Sequence, residues 1–377
     1  MQINLYSAQT LRQATKEVIK NVEVSQNLDL RNFIVVPDRF SLQAEKLLFQ
    51  ELGISSTFNI DVISISKLAS LVLKLSGNEF KTQSNLEGML LVYKILIEHQ
   101  AEFESLKDAN LSIDLAKEIF LTISQLKSCE ISADKFLKSA NELANQKLID
   151  IAKIYSFYEC SEREKIDAAD LITLFAQQIE ESELIKNSNF YFAEFDSFTS
   201  QARTIIQLLV KCSRSVSIAT CSTTGENEYI YEQDVLQKVA QICENLKIKP
   251  NIIICEKNQN EFQKHIADNL FAFKQTLKNI PYGAAILNNS NITSEIEQIA
   301  NIIKFEILQN GYNFSDFNIF VPSLQSYQKQ ISEIFSSEDI ACYIDATKTL
   351  LDLAPIKFIL KVFDFLKDEN ILNFLAL

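Results

Sequence analysis

Polar and basic side chains follow two short apolar runs of the chain, at points where a strand would pass into a helix. Arg39 and Ser41 follow the first run, and Ser64, Ser66 and Lys67 lie at the end of the second. Corners of this kind are where open α/β sheets bind ligands. The two cations could meet phosphate groups, and the hydroxyls with unpaired N–H groups at helix starts could position a backbone. The alternative is structural, with serines that cap helices and cations that are solvated surface charges.

The first apolar run of the chain, Ile3 to Tyr6, passes into a helix where a nucleotide-binding fold would carry its phosphate loop. The loop reads YSAQT, from Tyr6 through Ser7 to Thr10, and contains neither glycine nor lysine. Without glycine the backbone cannot wrap a triphosphate, and without lysine its charge is not neutralised. We therefore expect no nucleotide cofactor at this corner.

The composition of the 377 residues, 47% hydrophobic and 23% charged, is typical of a globular protein with two or three domains. A net charge of −13 argues against a protein that coats nucleic acid indiscriminately, but is compatible with a local basic groove. Seven scattered cysteines without a CxxC pair, and two histidines, predict reduced thiols and no metal site. No run suits a signal peptide or a membrane span, so we expect a cytoplasmic protein without a membrane partner.

The order of strand and helix patterns predicts four regions. Strands and helices alternate over residues 1–83, consecutive helices fill 84–186, and alternation resumes over 187–280, including a helix at 261–278. Residues 281–377 predict the start of a second sheet domain, with strands at 284–287, 317–321 and 341–344. Ser294 and Glu297 have the spacing of a capping box at its first helix. The fold class is therefore α/β, with a parallel sheet interrupted by a helical insert.

This layout resembles that of superfamily 1 helicases. In addition, four segments are similar to segments of one family, in the same order and with the same spacing. The chain resembles the N-terminal, helicase-like half of the B subunit of the AddAB/RexAB helicase-nuclease. The segments are FIVVPDRFSLQAEKLLFQ with FNIDVISISKLASLVL, NFYFAEFDSFTSQARTIIQLL, SEIEQIANIIKFEILQNGYNFSDFNIFVPSLQSY and IACYIDATKTLLDLAPIKFIL. The resemblance implies a RecA-like parallel-sheet domain in two parts (1–83 and 187–280), an inserted helical subdomain (84–186) and the start of a second RecA-like domain (281–377).

The resemblance also assigns roles to the corners. The corners at Arg39, Ser41, Ser64, Ser66 and Lys67 would contact single-stranded DNA. An active motor would carry an Asp-Glu pair, whose Asp holds magnesium, at the end of a later strand.

This chain has Ala193-Glu194 in place of that pair. Together with Ser7 and Thr10, these residues would form a degenerate nucleotide corner without a catalytic site.

The function expected from the sequence is that of an inactivated helicase-like subunit in double-strand-break repair. It would bind single-stranded DNA or DNA ends and support an active A-type partner subunit. Two alternatives remain open, namely an ATPase with a degenerate nucleotide site and an interaction module that binds no DNA. ATP hydrolysis stimulated by single strands would favour the first alternative, and salt-dependent binding of a single strand would argue against the second.

Overall fold

A six-stranded parallel sheet forms the centre of the first part of the chain in this computed structural model, in the order β3-β2-β6-β7-β1-β8. The strands that the structure describes are β1 (Ile3–Ala8), β2 (Arg31–Val35), β3 (Ile60–Ile63), β4 (Lys81–Thr82), β5 (Lys165–Ile166), β6 (Ser188–Phe192), β7 (Ser215–Cys221) and β8 (Asn251–Ile254). The structure describes residues 2–8, 10–23, 30–77, 80–107, 109, 111–161, 165–221, 233–255, 285–346 and 350–367. The helix predicted at 261–278 lies outside these residues.

Helices cover both faces of the sheet. The helices described in the first compact unit, Met1–Asn279, are α1 (Leu11–Lys20), α2 (Ser41–Leu52), α3 (Ile65–Leu75), α4 (Asn85–Glu98), α5 (Ile113–Ser128), α6 (Ala133–Glu142), α7 (Gln146–Cys160), α8 (Ala168–Gln178), α9 (Glu183–Lys186), α10 (Ser200–Cys212) and α11 (Gln233–Leu246). Along β2, Phe33 and Val35 enter the core beneath α3, α8 and α10, whereas Ile34 and Val36 enter the core beneath α1 and α2. Burial on both faces explains why the strands read as continuous apolar runs. The α/β class with a parallel sheet is confirmed, and the arrangement is consistent with a RecA-like domain.

Consecutive helices are confirmed over the predicted range as α4 to α9, and the first four of them share a hydrophobic cluster of their own. The strands β4 and β5 pair in parallel on either side of these four helices and join the two ends of the insert. In contrast, α8 contributes Leu171 and Phe175 to the core of the six-stranded sheet. The packing therefore changes near residue 166, while the bounds predicted for the subdomains stay a prediction.

The second compact unit, Ile280–Leu377, contains α12 (Ile292–Asn310), α13 (Leu324–Ser337) and α14 (Ala354–Lys367). The α12 and α13 helices pack around Ile296, Ile303 and Phe335. The capping box predicted at Ser294 and Glu297 is wrong. Asn291 caps α12 instead, because its side chain accepts a hydrogen bond from the Ser294 N–H at 2.8 Å.

The strands predicted in this second unit are also wrong where the structure describes them. Residues 285–287, 317–321 and 341–344 form no strand. A strand requires a neighbouring backbone to complete its hydrogen-bonded ladder, and an apolar run alone does not supply one. Consistently, Ile286 and Phe320 are 99% and 93% exposed. In the described part of the chain, no helix has the length and apolar character needed to cross a bilayer.

Candidate nucleic-acid interface

The corners after β2 and β3 lie side by side at one edge of the sheet. These strands are parallel neighbours, with Val35 opposite Ile63, and the Val36 N–H continues the ladder by donating to the Ile63 carbonyl at 3.0 Å. We call the predicted residues at these corners, Arg39, Ser41, Ser64, Ser66 and Lys67, the strand-end rim. The sheet register thus brings together two segments that are separate in the sequence.

The serines of the strand-end rim have structural contacts. Ser64 is buried and caps α3, since its hydroxyl accepts a hydrogen bond from the Lys67 N–H at 3.4 Å. Ser41 does not cap α2; its hydroxyl donates to the Asp38 carbonyl at 3.0 Å, and a 3-10 turn (Asp38–Phe40) leads into the helix. Ser66 is half-buried in the first turn of α3. The capping alternative is therefore correct for Ser64 and wrong for Ser41.

The cations of the strand-end rim are exposed and have local partners. The Arg39 guanidinium lies 5.2 Å from the centre of the Phe40 ring, an arrangement that favours a cation–π contact. The Lys67 ammonium lies 3.7 Å from the Asp38 carboxylate, and both side chains are 65% exposed. The sequence patterns did not predict Asp38 as the partner of Lys67. The sequence signal that could have identified Asp38 was its position, one residue before Arg39 and just after the strand that neighbours β3.

The predicted nucleotide corner is built from the ends of β1 and β6, with β7 between them. Ser7 is buried at the end of β1, and Thr10 caps α1 by accepting a hydrogen bond from the Gln13 N–H at 3.3 Å. Ala193 is fully buried, and its N–H extends the ladder to the Val35 carbonyl at 3.0 Å.

Glu194 follows with a left-handed backbone, at a φ of 61°, and its side chain is 11% exposed. A positive φ is uncommon for a residue other than glycine. Arg12, in the first turn of α1, approaches the Glu194 carboxylate at 3.5 Å. Arg12 therefore balances the negative charge of Glu194. The sequence patterns did not predict this ion pair.

An ionic cluster around the buried side chain of Lys127 joins the helical insert to the sheet layer. The ammonium of Lys127 on α5 lies 2.7 Å from Asp167, 2.6 Å from Asp170 and 2.9 Å from Glu159. Burial alone would lower the pKa of Lys127, but hydrogen bonds to the three carboxylates raise it above its ordinary value. A lysine surrounded by carboxylates can suggest a catalytic site. Here, however, the Lys127 ammonium fills the space between the three carboxylates. Among the residues that the structure describes, no group of three or more His, Cys, Asp or Glu is arranged to hold a metal ion.

Comparison with known proteins places these features in a family. A family model described as "ADDB, N-terminal" matches residues 11–278. The chain is 26% identical over 371 residues to the B subunit of the ATP-dependent helicase/deoxyribonuclease of Clostridium botulinum (strain Hall), covering 92% of this chain and 32% of that protein. It is similar to the proteins of the same name from Clostridium acetobutylicum, at 26% identity over 91% of this chain and 32% of the relative, and Thermoanaerobacter sp. (strain X514), at 24% identity over 88% and 30%.

The chain thus spans about a third of the length of the curated relatives that it matches. The resemblance carried by the four segments is confirmed. Because the family model covers more than half of the residues, the chain belongs to the family described as the N-terminal region of ADDB.

Proposed function

We propose that this chain is the helicase-like, catalytically inactive part of a B-type subunit in a helicase-nuclease that processes DNA ends in the cytoplasm. In this proposal it holds single-stranded DNA at the strand-end rim and docks onto an active A-type motor subunit. The name shared by the relatives, which are B subunits of an ATP-dependent helicase/deoxyribonuclease, supports the choice of complex.

The observation that carries the proposal is that one exposed cation follows each of two adjacent strands. Arg39 and Lys67 follow neighbouring parallel strands; Arg39 lies in the 3-10 turn that leads into α2, and Lys67 lies in the first turn of α3. The first turn of a helix presents the positive end of the helix dipole, which favours phosphate. Cations and helix starts of this kind position a nucleic-acid backbone without reading its sequence.

The residues of the nucleotide corner favour the hypothesis of an inactive scaffold rather than that of an active motor. The loop through Ser7 and Thr10 has no lysine or glycine to cradle a triphosphate. Ala193 replaces the carboxylate that would hold magnesium in an active motor. Glu194, which would neighbour that carboxylate, faces Arg12 instead.

Salt-dependent binding of an oligonucleotide tests the proposal. Fluorescence anisotropy of a labelled oligothymidine is measured across a range of salt concentrations for the wild type and the charge reversals Arg39→Glu and Lys67→Glu. Each lost phosphate contact should reduce the slope of log affinity against log salt by about 0.7, the value per phosphate for single strands. Lys94→Glu is the matched control, because Lys94 is 66% exposed and paired to Glu98 at 3.7 Å on α4 of the insert.

The proposal predicts weaker binding for both rim variants and little change for Lys94→Glu. Equal losses in all three variants would indicate a diffuse electrostatic effect and would contradict a site at the strand-end rim. An undetectable affinity of the wild type at low salt would favour the interaction module that binds no DNA.

A degenerate ATPase is the second candidate, favoured by one observation. The start of α1, capped by Thr10, follows the end of β1, so the positive end of its helix dipole lies at this edge. Thermal unfolding with and without ATP and Mg²⁺ separates the candidates, because a ligand that binds only the folded state raises stability. We expect no rise and no hydrolysis stimulated by single strands. Either effect, if abolished by Thr10→Val, would favour the ATPase.

A further inference from the structure

We propose that Asp38 restrains DNA binding at the strand-end rim by competing with phosphate for Lys67. This inference deepens the proposed function and rests on it. The pair joins two corners, since Asp38 begins the 3-10 turn after β2 and Lys67 lies in the first turn of α3. Asp38 thus supplies an intramolecular carboxylate where a phosphate of the strand would otherwise be the counterion.

The geometry of the pair suits a contact that phosphate can replace. The ammonium and carboxylate are 3.7 Å apart and both side chains are 65% exposed. Exposed pairs of this kind contribute about 0.2–1 kcal/mol, since water screens the charges and the long side chain loses freedom. A strand must displace Asp38 from Lys67 before one of its phosphates can contact the ammonium.

The backbone beneath Asp38 does not depend on its carboxylate. The Ser41 hydroxyl donates to the Asp38 carbonyl, and the Phe40 N–H donates to the Pro37 carbonyl at 2.8 Å. The Ser64 cap that orients Lys67 uses a hydroxyl and a backbone N–H. Replacing the Asp38 carboxylate by an amide should therefore leave both corners folded.

The consequence is a rim that holds a strand weakly. With Asp38 in place, Lys67 is partly neutralised and Arg39 supplies most of the uncompensated positive charge of the two corners. A strand that must be released and rebound would benefit from such restraint. Removing the restraint should convert the rim into a tighter binding surface for any sequence.

The test compares Asp38→Asn with Glu98→Gln in the oligothymidine anisotropy assay. Glu98→Gln is the matched control, because it makes the same change in charge and releases a lysine, Lys94, from a pair of the same length. Asp38→Asn should bind about two- to fivefold more tightly, the factor that corresponds to an exposed pair. Its salt slope should become steeper by up to about 0.7 as Lys67 engages a phosphate. Glu98→Gln should match the wild type.

The double variant Asp38→Asn with Lys67→Gln identifies the route of the effect. Competition for Lys67 predicts that Asp38→Asn gives no gain when Lys67 is already Gln. A gain that persists in that background, or an equal gain in Glu98→Gln, would overturn the inference while leaving the proposed function intact. If neither the wild type nor Asp38→Asn binds the strand at low salt, the proposed function fails, and the inference fails with it.

Discussion

The ammonium of Lys127 lies 2.7 Å from the carboxylate of Asp167, and these side chains are only 7% and 10% exposed. Lys127 belongs to α5 of the helical insert, whereas Asp167 caps α8 by accepting hydrogen bonds from the Ala169 and Asp170 N–H groups. One carboxylate therefore serves a helix start and a buried cation together. Since α8 packs on the sheet, the pair fastens the insert to the sheet layer.

Replacing Lys127 by Met should reduce the free energy of unfolding by about 3–5 kcal/mol, because it leaves the buried carboxylate of Asp167 without its cation. Urea denaturation measures the change. Lys117→Met, on the exposed face of the same helix, is the control and should shift stability by no more than about 0.5 kcal/mol. Equal effects of the two substitutions would contradict a fastening role for Lys127.

Replacing Gly88 by Ala should destabilise the insert, because overpacking costs about 1–3 kcal/mol. Gly88 is buried on α4, and a Cβ there would lie 2.6 Å from Cζ of the buried Phe120 ring on α5. The higher helix propensity of Ala offsets about 1 kcal/mol of this overpacking cost, so the net loss of stability should be up to about 2 kcal/mol. Thermal or urea unfolding measures it, and the second substitution Phe120→Leu should restore part of the stability. A Gly88→Ala variant as stable as the wild type would show that the helices separate easily.

Replacing Asn189 by Leu should cost about 1–3 kcal/mol for each buried partner that it leaves unpaired. Asn189 is 4% exposed on β6, accepts a hydrogen bond from Ser215 at 2.9 Å and donates to Asn32 at 3.0 Å. These bonds cross from β2 to β7 and fix the register of three strands. Asn251→Leu is the control and should be nearly neutral in urea denaturation, because Asn251 is exposed on the edge strand β8, where its side chain donates to Asn4 at 3.1 Å.

Acidification should remove a stabilising contribution from Asp150 on α7. Burial alone would raise the pKa of this carboxyl, but hydrogen bonds from Ser105 and the Glu104 N–H lower it below its ordinary value. A carboxyl with a depressed folded-state pKa stabilises the fold above its unfolded pKa of about 3.9. That contribution disappears as the pH falls through the folded-state pKa.

The difference in stability between the wild type and Asp150→Asn should therefore be largest near neutral pH and should narrow below about pH 4. Denaturation at a series of pH values measures it. A difference that is constant from neutral to acidic pH would mean that the ionised carboxylate contributes nothing specific.

The local structure of the first unit follows closely from the sequence. Continuous apolar runs such as Phe33 to Val36 predict strands buried on both faces, and helical spacing predicts α4 to α7. The Ser64 cap was predictable because a cap uses groups within one turn of each other. At α12 the same logic selected Ser294 over Asn291, since both positions precede an apolar helical pattern.

Contacts between segments distant in sequence were decided by the tertiary structure. The pairing of Asp38 with Lys67 requires the register of β2 with β3, and that of Arg12 with Glu194 requires α1 to meet the end of β6. The prediction of three strands after residue 281 was wrong for the same reason. An extended apolar segment becomes a strand only when another backbone pairs with it. Sequence patterns determine which face of an element is apolar, since that depends on neighbours within a few residues. Only the folded chain determines which charges and backbones meet, because those distances depend on how all the elements pack.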